Sequence, residues 1–184
     1  MQLKQRFVIT GGPSSGKTSI LENINSNKII CFEEVGRKII SKYLKKNNLN
    51  PFLNSPIALS NEIFELRFKD FKKNSKKNIH FYDRGIHDVV AYLKLYHISV
   101  PNKIEKTCKN NLYDKIFLLP PWKKIYVNDN ERLESFETSI EIYSNIKKVY
   151  KSFGMDTVDV PIGSIKQRIN SVSYTHLRAH ETFA

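Results

Sequence analysis

The sequence predicts an α/β fold with three layers, in which a parallel sheet of five strands lies between two layers of helices. Five short apolar segments alternate with segments whose apolar residues recur at helical spacing. Strands that alternate with helices pair in parallel, because each helix returns the chain to the same edge of the sheet. A chain of 184 residues suits one such domain with a single sizeable core.

The individual elements follow from these patterns. The predicted strands are 6–10, 28–32, 78–82, 113–119 and 156–160. The predicted helices are 17–25, 33–46, 57–77, 86–96, 103–110, 131–153 and a last one that starts at 163. One Asn-Pro pair and one Ser-Pro pair mark a loop at 47–56, and the segment 120–130 is predicted to be irregular. No repeat or linker divides residues 1–171, so we expect one domain.

Composition narrows the class of protein. No apolar run approaches the roughly 18 residues that cross a bilayer, and the N-terminus lacks the apolar core of a signal peptide. Cys31 and Cys108 lie far apart and outside any CxxC pattern, which is typical of idle thiols in a reducing compartment. We therefore expect a soluble, cytoplasmic protein without a membrane partner.

The formal net charge of +12 raises the question of nucleic-acid binding. The excess is mostly lysine, and it accompanies scattered asparagines and isoleucines, as an AT-rich genome would produce. The densest clusters, at 42–46, 72–77 and 147–151, are typical of solvated helix faces or ends. Phosphate-rich ligands remain the alternative, with nucleic acid the less favoured among them.

The last residues interrupt the pattern of the chain. The helical pattern that starts at 163 stops abruptly, and residues 172–182 read VSYTHLRAHET. This string is the residue-by-residue translation of a transposon adapter used in sequencing libraries. We therefore interpret 172–184 as a non-native tail, in which His176, His180 and Glu181 carry no function. An independent read of the gene that retains VSYTHLRAHET would contradict this interpretation.

The segment GGPSSGKT after the first strand fits the phosphate-binding pattern G-x-x-x-x-G-K-[ST]. Glycines let the backbone wrap around phosphates, while loop N–H groups and the N-terminus of the next helix point at the anion. Lys17 can reach the β- and γ-phosphates, and the Thr18 hydroxyl can bind Mg²⁺. The predicted nucleotide-binding residues are Gly11, Gly12, Pro13, Ser14, Ser15, Gly16, Lys17, Thr18 and Ser19.

Acidic residues occur where the neighbouring strands are predicted to end. Phosphoryl transfer needs a carboxylate near the metal and often a base for the acceptor hydroxyl, and ligands bind at the carboxyl ends of strands. Asp83 can hold Mg²⁺ or accept a proton, and Arg84 can clamp an anionic acceptor group. The alternative is a helix N-cap beside an outward arginine. His87 and Asp88, one turn further on, are interpreted as supporting or surface groups.

Two glutamates follow the second predicted strand. Glu34 and Arg37 lie three residues apart, a spacing that allows a salt bridge on one helix face. In the functional alternative, Glu34 is the acceptor-side base or an acceptor ligand. Glu33 is the weaker candidate, because it is expected to point away from the cleft.

The loop after the fourth strand begins with two prolines and contains the only tryptophan. A lid that closes here would exclude water and add a cation to the transferring phosphoryl group. Arg132 is the best candidate for that cation, with Lys123 and Lys124 behind it, and surface pairing with nearby glutamates is the alternative. Trp122 either stacks on a base or sugar or plugs the core.

Four segments together resemble the AAA-domain family of ATPase- and kinase-like P-loop proteins, which is related to the nicotinamide riboside kinase domain. They are FVITGGPSSGKTSIL, EEVGRKII, FYDRGIHDVVAYL and LLPPWKKIYVNDNERLESFE. The resemblance covers about residues 5–170. It implies a three-layer P-loop NTPase fold, for which we expect by analogy the strand order 2-3-1-4-5. It also implies ATP binding, Mg²⁺ as cofactor, the roles of Lys17 and Thr18, and more loosely a role for Asp83-Arg84.

The resemblance does not supply the acceptor, and the chain has no evident FxDxD-type Walker B segment. Our leading hypothesis is a kinase acting on a nucleoside- or nucleotide-like small molecule, with ATP or alternatively GTP. Its predicted catalytic residues are Lys17, Asp83, Arg84, Glu34 and Arg132, and its predicted metal ligands are Thr18 and Asp83. The alternatives are an NTP-binding regulatory module with little catalysis and a kinase or ATPase acting on nucleic-acid ends.

Overall fold

A parallel sheet of five strands forms the centre of the protein. The computed structural model describes residues 4–24, 27–47, 54–126 and 135–181. The strands are β1 (Gln5–Gly11), β2 (Ile29–Phe32), β3 (Ile79–Asp83), β4 (Lys115–Leu119) and β5 (Thr157–Asp159). They pair in the order β2-β3-β1-β4-β5, and every pair is parallel. The predicted fold class and strand order are therefore confirmed.

Helices cover both faces of this sheet. They are α1 (Lys17–Asn23), α2 (Gly36–Asn47), α3 (Pro56–Lys72), α4 (Ile86–Leu95), α5 (Asn102–Asn110), α6 (Phe136–Ser152) and α7 (Ile165–Glu181). A short 3₁₀ helix, Lys123–Ile125, lies in the segment predicted to be irregular. No helix in the described part of the chain is long and apolar enough to cross a membrane.

Several element boundaries differ from the predicted ones, most of them by one or two residues. Helix α2 begins at Gly36 instead of residue 33, and α3 ends at Lys72 because Lys73 turns into an extended backbone conformation. Helix α7 continues to Glu181, so the backbone does not leave the helix where the sequence pattern breaks. The origin of residues 172–184 in an adapter remains a prediction, since a helix can form from either source of sequence.

Alternating side chains of the strands enter two apolar clusters, one on each face of the sheet. Val8 of β1 faces the larger cluster, which contains apolar residues of α2 to α6. Phe7 and Ile9, its neighbours, face the smaller cluster beneath α1 and α7. Both faces of the central strand β1 are thus buried, which explains why its sequence is a continuous apolar run instead of alternating apolar and polar residues.

The strand register places the candidate residues along one edge of the sheet. Ile9 of β1 lies beside Asp83 of β3, and Gly11 lies beside Leu119 of β4. Because all five strands are parallel, their carboxyl ends meet at this edge. The glycine-rich loop, Asp83 and the chain that follows β2 therefore converge there, as expected for a ligand site in this type of sheet.

Candidate nucleotide and acceptor site

The glycine-rich loop makes a tight turn between β1 and α1. Gly11 and Gly16 adopt φ values of 148° and 82°, and Ser14 adopts a left-handed φ of 53°. A Cβ atom at Gly11 would collide with the backbone carbonyl of Leu119. Glycine is therefore required at position 11 by both its dihedral angle and the closeness of β4.

Lys17 lies over this loop with its ammonium group buried. Its Nζ donates to the carbonyl of Gly12 at 2.8 Å and to Ser15 Oγ at 3.3 Å. Burial, together with the nearby Arg84 guanidinium, lowers the pKa of Lys17 to about 7. A phosphate group beside it would favour its charged form. Thr18 and Ser19 are exposed and line the large cavity described below.

Asp83, the last residue of β3, is a buried carboxylate with unused acceptor capacity. Its side chain is 5% exposed, and Oδ1 has no hydrogen-bond partner among the described residues. Burial raises the pKa of Asp83 to about 6, although the charge of Lys17 opposes the shift. A buried oxygen in this state suits a bound cation or a hydroxyl donor.

Arg84 turns inward and contacts Glu34. Its backbone adopts a left-handed φ of 70°, and its N–H donates to the carbonyl of Ile9 at 3.0 Å. The Arg84 Nε–Glu34 Oε2 distance is 2.6 Å, and Arg67 Nη2 lies 2.8 Å from Glu34 Oε1. The alternative of an outward arginine at position 84 is therefore wrong.

Glu34 precedes α2 and is not part of its surface. Its Oε1 accepts the backbone N–H of Gly36 at 2.9 Å, at the point where the helix begins. The sequence alternative that paired Glu34 with Arg37 is therefore replaced by ion pairs to Arg67 and Arg84. Burial alone would raise the pKa of Glu34, but these two guanidiniums outweigh it and lower the pKa to about 2. Glu34 is thus ionised at neutral pH and is a weak base.

Asp88 connects β1, the Asp83-Arg84-Gly85 turn and α6 through its hydrogen bonds. It is fully buried and accepts hydrogen bonds from Thr10 Oγ1, the N–H of Gly85 at 2.9 Å and the Tyr150 hydroxyl at 2.5 Å. Arg84 Nη1 lies 3.5 Å from the same carboxylate. His87 is also fully buried, so both residues support the site from within, and the alternative of surface groups is wrong.

We expect Asp88→Asn to destabilise the protein by about 3 kcal/mol, because an amide cannot accept from all these donors and leaves buried groups unpaired. Tyr150→Phe removes one donor and should cost about 1 kcal/mol. Urea unfolding measures both, and Glu105→Gln, which changes a half-exposed carboxylate paired with Lys109, is the matched control. Equal stability of Asp88→Asn and the control would contradict this role.

One cavity of about 1130 Å³ runs along this edge of the sheet. We name the part of the cavity on the outer side of the loop, towards β4 and β5, the nucleotide lobe, after the role proposed below. It is lined by Trp122, Ile125, Gly163, Ser164, Ile165 and Arg168. We name the part towards β2 and β3 the acceptor lobe, again after its proposed role. It is lined by Glu34, Gly36, Arg37, Ile40, Ser60, Ile63, Arg67, Arg84, Val89 and Tyr92. Lys17, Thr18 and Asp83 line the region between the lobes. The predicted site residues of β1, β2 and β3 are therefore brought together.

Of the residues predicted to form a lid, the structure places Trp122, Lys123 and Lys124 but does not describe Arg132. Trp122 is half-buried and lines the cavity, outside both apolar clusters, so a role in plugging the core is excluded. Lys123 and Lys124 are exposed in the 3₁₀ helix. Arg132 lies outside the described residues, and its role remains a prediction.

Sequence reasoning missed two buried arginines, Arg67 and Arg168. Arg67 lies four residues from both Ile63 and Phe71, and Arg168 lies four residues before Val172. Residues four apart share a helix face, so each arginine falls on an apolar stripe of its helix. A cation on an apolar stripe could have indicated a site residue from the sequence alone, because an arginine turned inward there needs a buried partner or ligand.

The sheet order and the glycine-rich loop define the protein as a P-loop NTPase with a kinase-like fold. Residues 6–168 match the family described as AAA domain (AAA_28), and the chain belongs to that family. No curated protein is significantly similar to it in sequence.

Several solved structures share this fold at low sequence identity. Deoxyadenosine kinase from M. mycoides, with products dCMP and dCDP bound, has a TM-score of 0.67 at 16% identity over 95% of this chain and 100% of its own. Thymidylate kinase from Candida albicans has a TM-score of 0.72 at 16% identity, covering 97% and 93%. NadR in complex with NR has a TM-score of 0.72 at 19% identity, covering 95% of this chain and 51% of NadR.

Proposed function

We propose that the protein is a Mg²⁺-dependent kinase that transfers the γ-phosphoryl group of ATP to a hydroxyl of a nucleoside- or nucleotide-like small molecule. The observation that carries this proposal is the single cavity that joins the P-loop to the Glu34–Arg67–Arg84 cluster. Its volume of about 1130 Å³ exceeds the roughly 300–1,000 Å³ of a site for one small ligand. A regulatory NTP site needs the nucleotide lobe alone.

The residues on the loop side fit a nucleotide with Mg²⁺. The metal would be held by Thr18 and Asp83, and it would neutralise charge on the β- and γ-phosphates. The unpartnered Oδ1 of Asp83 supports this assignment. Among the described residues, no group of three or more His, Cys, Asp or Glu side chains could hold a metal ion. A cation here would therefore depend on few protein ligands and on phosphate oxygens, as is usual for Mg²⁺.

The residues of the acceptor lobe fit a polar ligand with an apolar ring. Glu34, which is ionised, can accept a hydrogen bond from the acceptor hydroxyl and orient it towards the P-loop, since a loose transition state needs little base catalysis. Ile40, Ile63 and Tyr92 supply apolar surface beside it. The similar solved structures include kinases of nucleosides and nucleotides, which supports the same acceptor class.

The proposal predicts a bell-shaped pH dependence of kcat/KM for MgATP. Activity should rise as Asp83 loses its proton near pH 6 and fall as Lys17 loses its charge near pH 7. The two groups interact, so the limbs report values for the pair. Bound phosphate favours the charged form of Lys17, so the falling limb of kcat alone should lie at higher pH. A flat kcat/KM profile between pH 5 and 9 would contradict these assignments.

The decisive experiment measures ADP release from ATP and from GTP across a panel of nucleosides, nucleoside monophosphates and 5′-hydroxyl oligonucleotides. We expect one class of small molecule to stimulate ADP release, and Lys17→Met, purified identically, to remove the stimulation. Tight ATP binding without any stimulation would favour the regulatory module. Stimulation by oligonucleotides alone would favour a nucleic-acid end kinase.

A further inference from the structure

Arg168 of α7 is a buried cation in the nucleotide lobe. Its side chain is 4% exposed, one terminal nitrogen donates to the carbonyl of Ser15 at 2.7 Å, and Nε is buried without a hydrogen-bond partner. No carboxylate of the described residues forms an ion pair with it. Burial lowers the pKa of Arg168, and no neighbouring charge opposes this shift.

The other arginines buried in this cavity are paired. Arg67 and Arg84 share Glu34, and Arg84 also faces Asp88. An unpaired buried charge costs several kcal/mol of desolvation that attraction to a counter-ion would offset. Arg168 keeps its charge at neutral pH, so its position suits a site where the counter-ion arrives with the ligand.

The guanidinium of Arg168 lies directly against the P-loop. A Cβ atom at Gly16 would lie only 2.6 Å from Nη1, so the absence of a side chain at Gly16 admits the arginine. Arg168 also lines the nucleotide lobe beside Trp122 and Ile125. The free donor capacity of Arg168 is therefore placed at the outer side of the loop, where the base-proximal end of a nucleotide would lie.

The residues already assigned supply cations for only part of a bound triphosphate. Lys17 and Mg²⁺ act on the β- and γ-phosphates, which leaves the α-phosphate without an assigned cation. We propose that Arg168 binds the α-phosphate of the nucleotide as its counter-ion. This rests on the nucleotide-binding part of the proposed function and is independent of the acceptor.

The test compares the dissociation constants of AMP-PNP, AMP and adenosine for the wild-type protein and Arg168→Gln. We expect the variant to bind AMP-PNP and AMP about 10- to 100-fold more weakly, the range for a lost charge-assisted hydrogen bond. Adenosine affinity should change less than about twofold, because adenosine has no phosphate, and Arg168→Lys should restore part of the loss. Lys166→Gln removes an exposed charge from the same helix and should leave all three affinities unchanged.

Thermal unfolding separates ligand binding from a structural role. Without nucleotide, Arg168→Gln should unfold at the same temperature as the wild type or higher, because it removes an unpaired buried charge. With saturating AMP-PNP, the wild type should gain more stability than the variant. The inference is overturned if the variant loses stability without nucleotide yet keeps its AMP-PNP affinity, or if adenosine binding weakens as much as AMP binding.

The two proposals fail separately. AMP-PNP binding that depends on Arg168, without acceptor-stimulated turnover, would remove the kinase and retain the arginine contact. Acceptor-stimulated turnover with AMP-PNP affinity unaffected by Arg168→Gln would retain the kinase and remove the contact.

Discussion

Asp83→Asn is expected to reduce phosphoryl transfer by about 10²- to 10⁴-fold, the usual loss for a positioned acid–base group, without destabilising the protein at pH 8. Asparagine keeps the shape of the side chain and removes the charge that could hold Mg²⁺ or accept a proton. ADP release measures the first effect and urea unfolding the second. Loss of stability with retained activity would assign Asp83 a purely structural role.

The expected stability of Asp83→Asn follows from the direction in which the pKa of Asp83 is shifted. The pKa of Asp83 is raised to about 6 in the folded protein from its usual 3.8. The folded state therefore binds the proton more tightly than the unfolded state, and the contribution of Asp83 to stability falls as the pH rises from about 4 to about 6. Above this window the ionised carboxylate costs up to about 3 kcal/mol, which the asparagine removes. The advantage of Asp83→Asn should thus be greater at pH 8 than at pH 4.

Glu34→Gln is expected to damage both stability and acceptor use. It leaves Arg67 and Arg84 without their shared carboxylate, and breaking a buried ion pair from one side costs about 3 kcal/mol. Since Arg84 would lose its fixed orientation, we expect the KM of the acceptor to rise more than the KM of ATP. Glu33→Gln is the matched control, because Glu33 is exposed and its ion pair, to the exposed Lys38, has a long distance of 4.0 Å.

The pH dependence of this cost has the opposite sign to that of Asp83. The pKa of Glu34 is lowered to about 2 in the folded protein, so its stabilising contribution is present above its usual pKa of 4.5 and is lost as the pH falls towards 2. The difference in unfolding free energy between wild type and Glu34→Gln should therefore shrink in acid. A difference that stays constant from pH 7 to pH 3 would contradict the ion-pair network as its origin.

The two carboxylates thus have different physical roles, although the sequence made both of them candidate catalytic residues, with Asp83 the sharper signal. Asp83 is held in a buried place where its charge is unfavourable, which is typical of groups kept for function. Glu34 is stabilised as an anion by two guanidiniums. Which elements converge could be predicted, because parallel strands end at one edge, but the distribution of charge among them could not.

The P-loop and the sheet were determined by local sequence. Apolar runs of strand length between helical segments require a covered parallel sheet, and the loop pattern between β1 and α1 needs glycines at Gly11 and Gly16 for their backbone dihedral angles. The identity of the partners of Glu34 was decided only by the tertiary structure. Arg67 and Arg84 are 33 and 50 residues away along the chain, whereas helical spacing indicated only Arg37 as a partner.

The same reason applies to Asp88 and Arg168. Their helices are visible in the periodicity of the sequence, but periodicity does not show what lies opposite an inward-facing charge. Packing supplies Thr10 and Tyr150 to Asp88, while among the described residues it brings no carboxylate to Arg168. Local patterns therefore determined the fold and the phosphate loop, and only long-range packing decided which of the described charges around the loop are paired and which one we propose to bind a ligand.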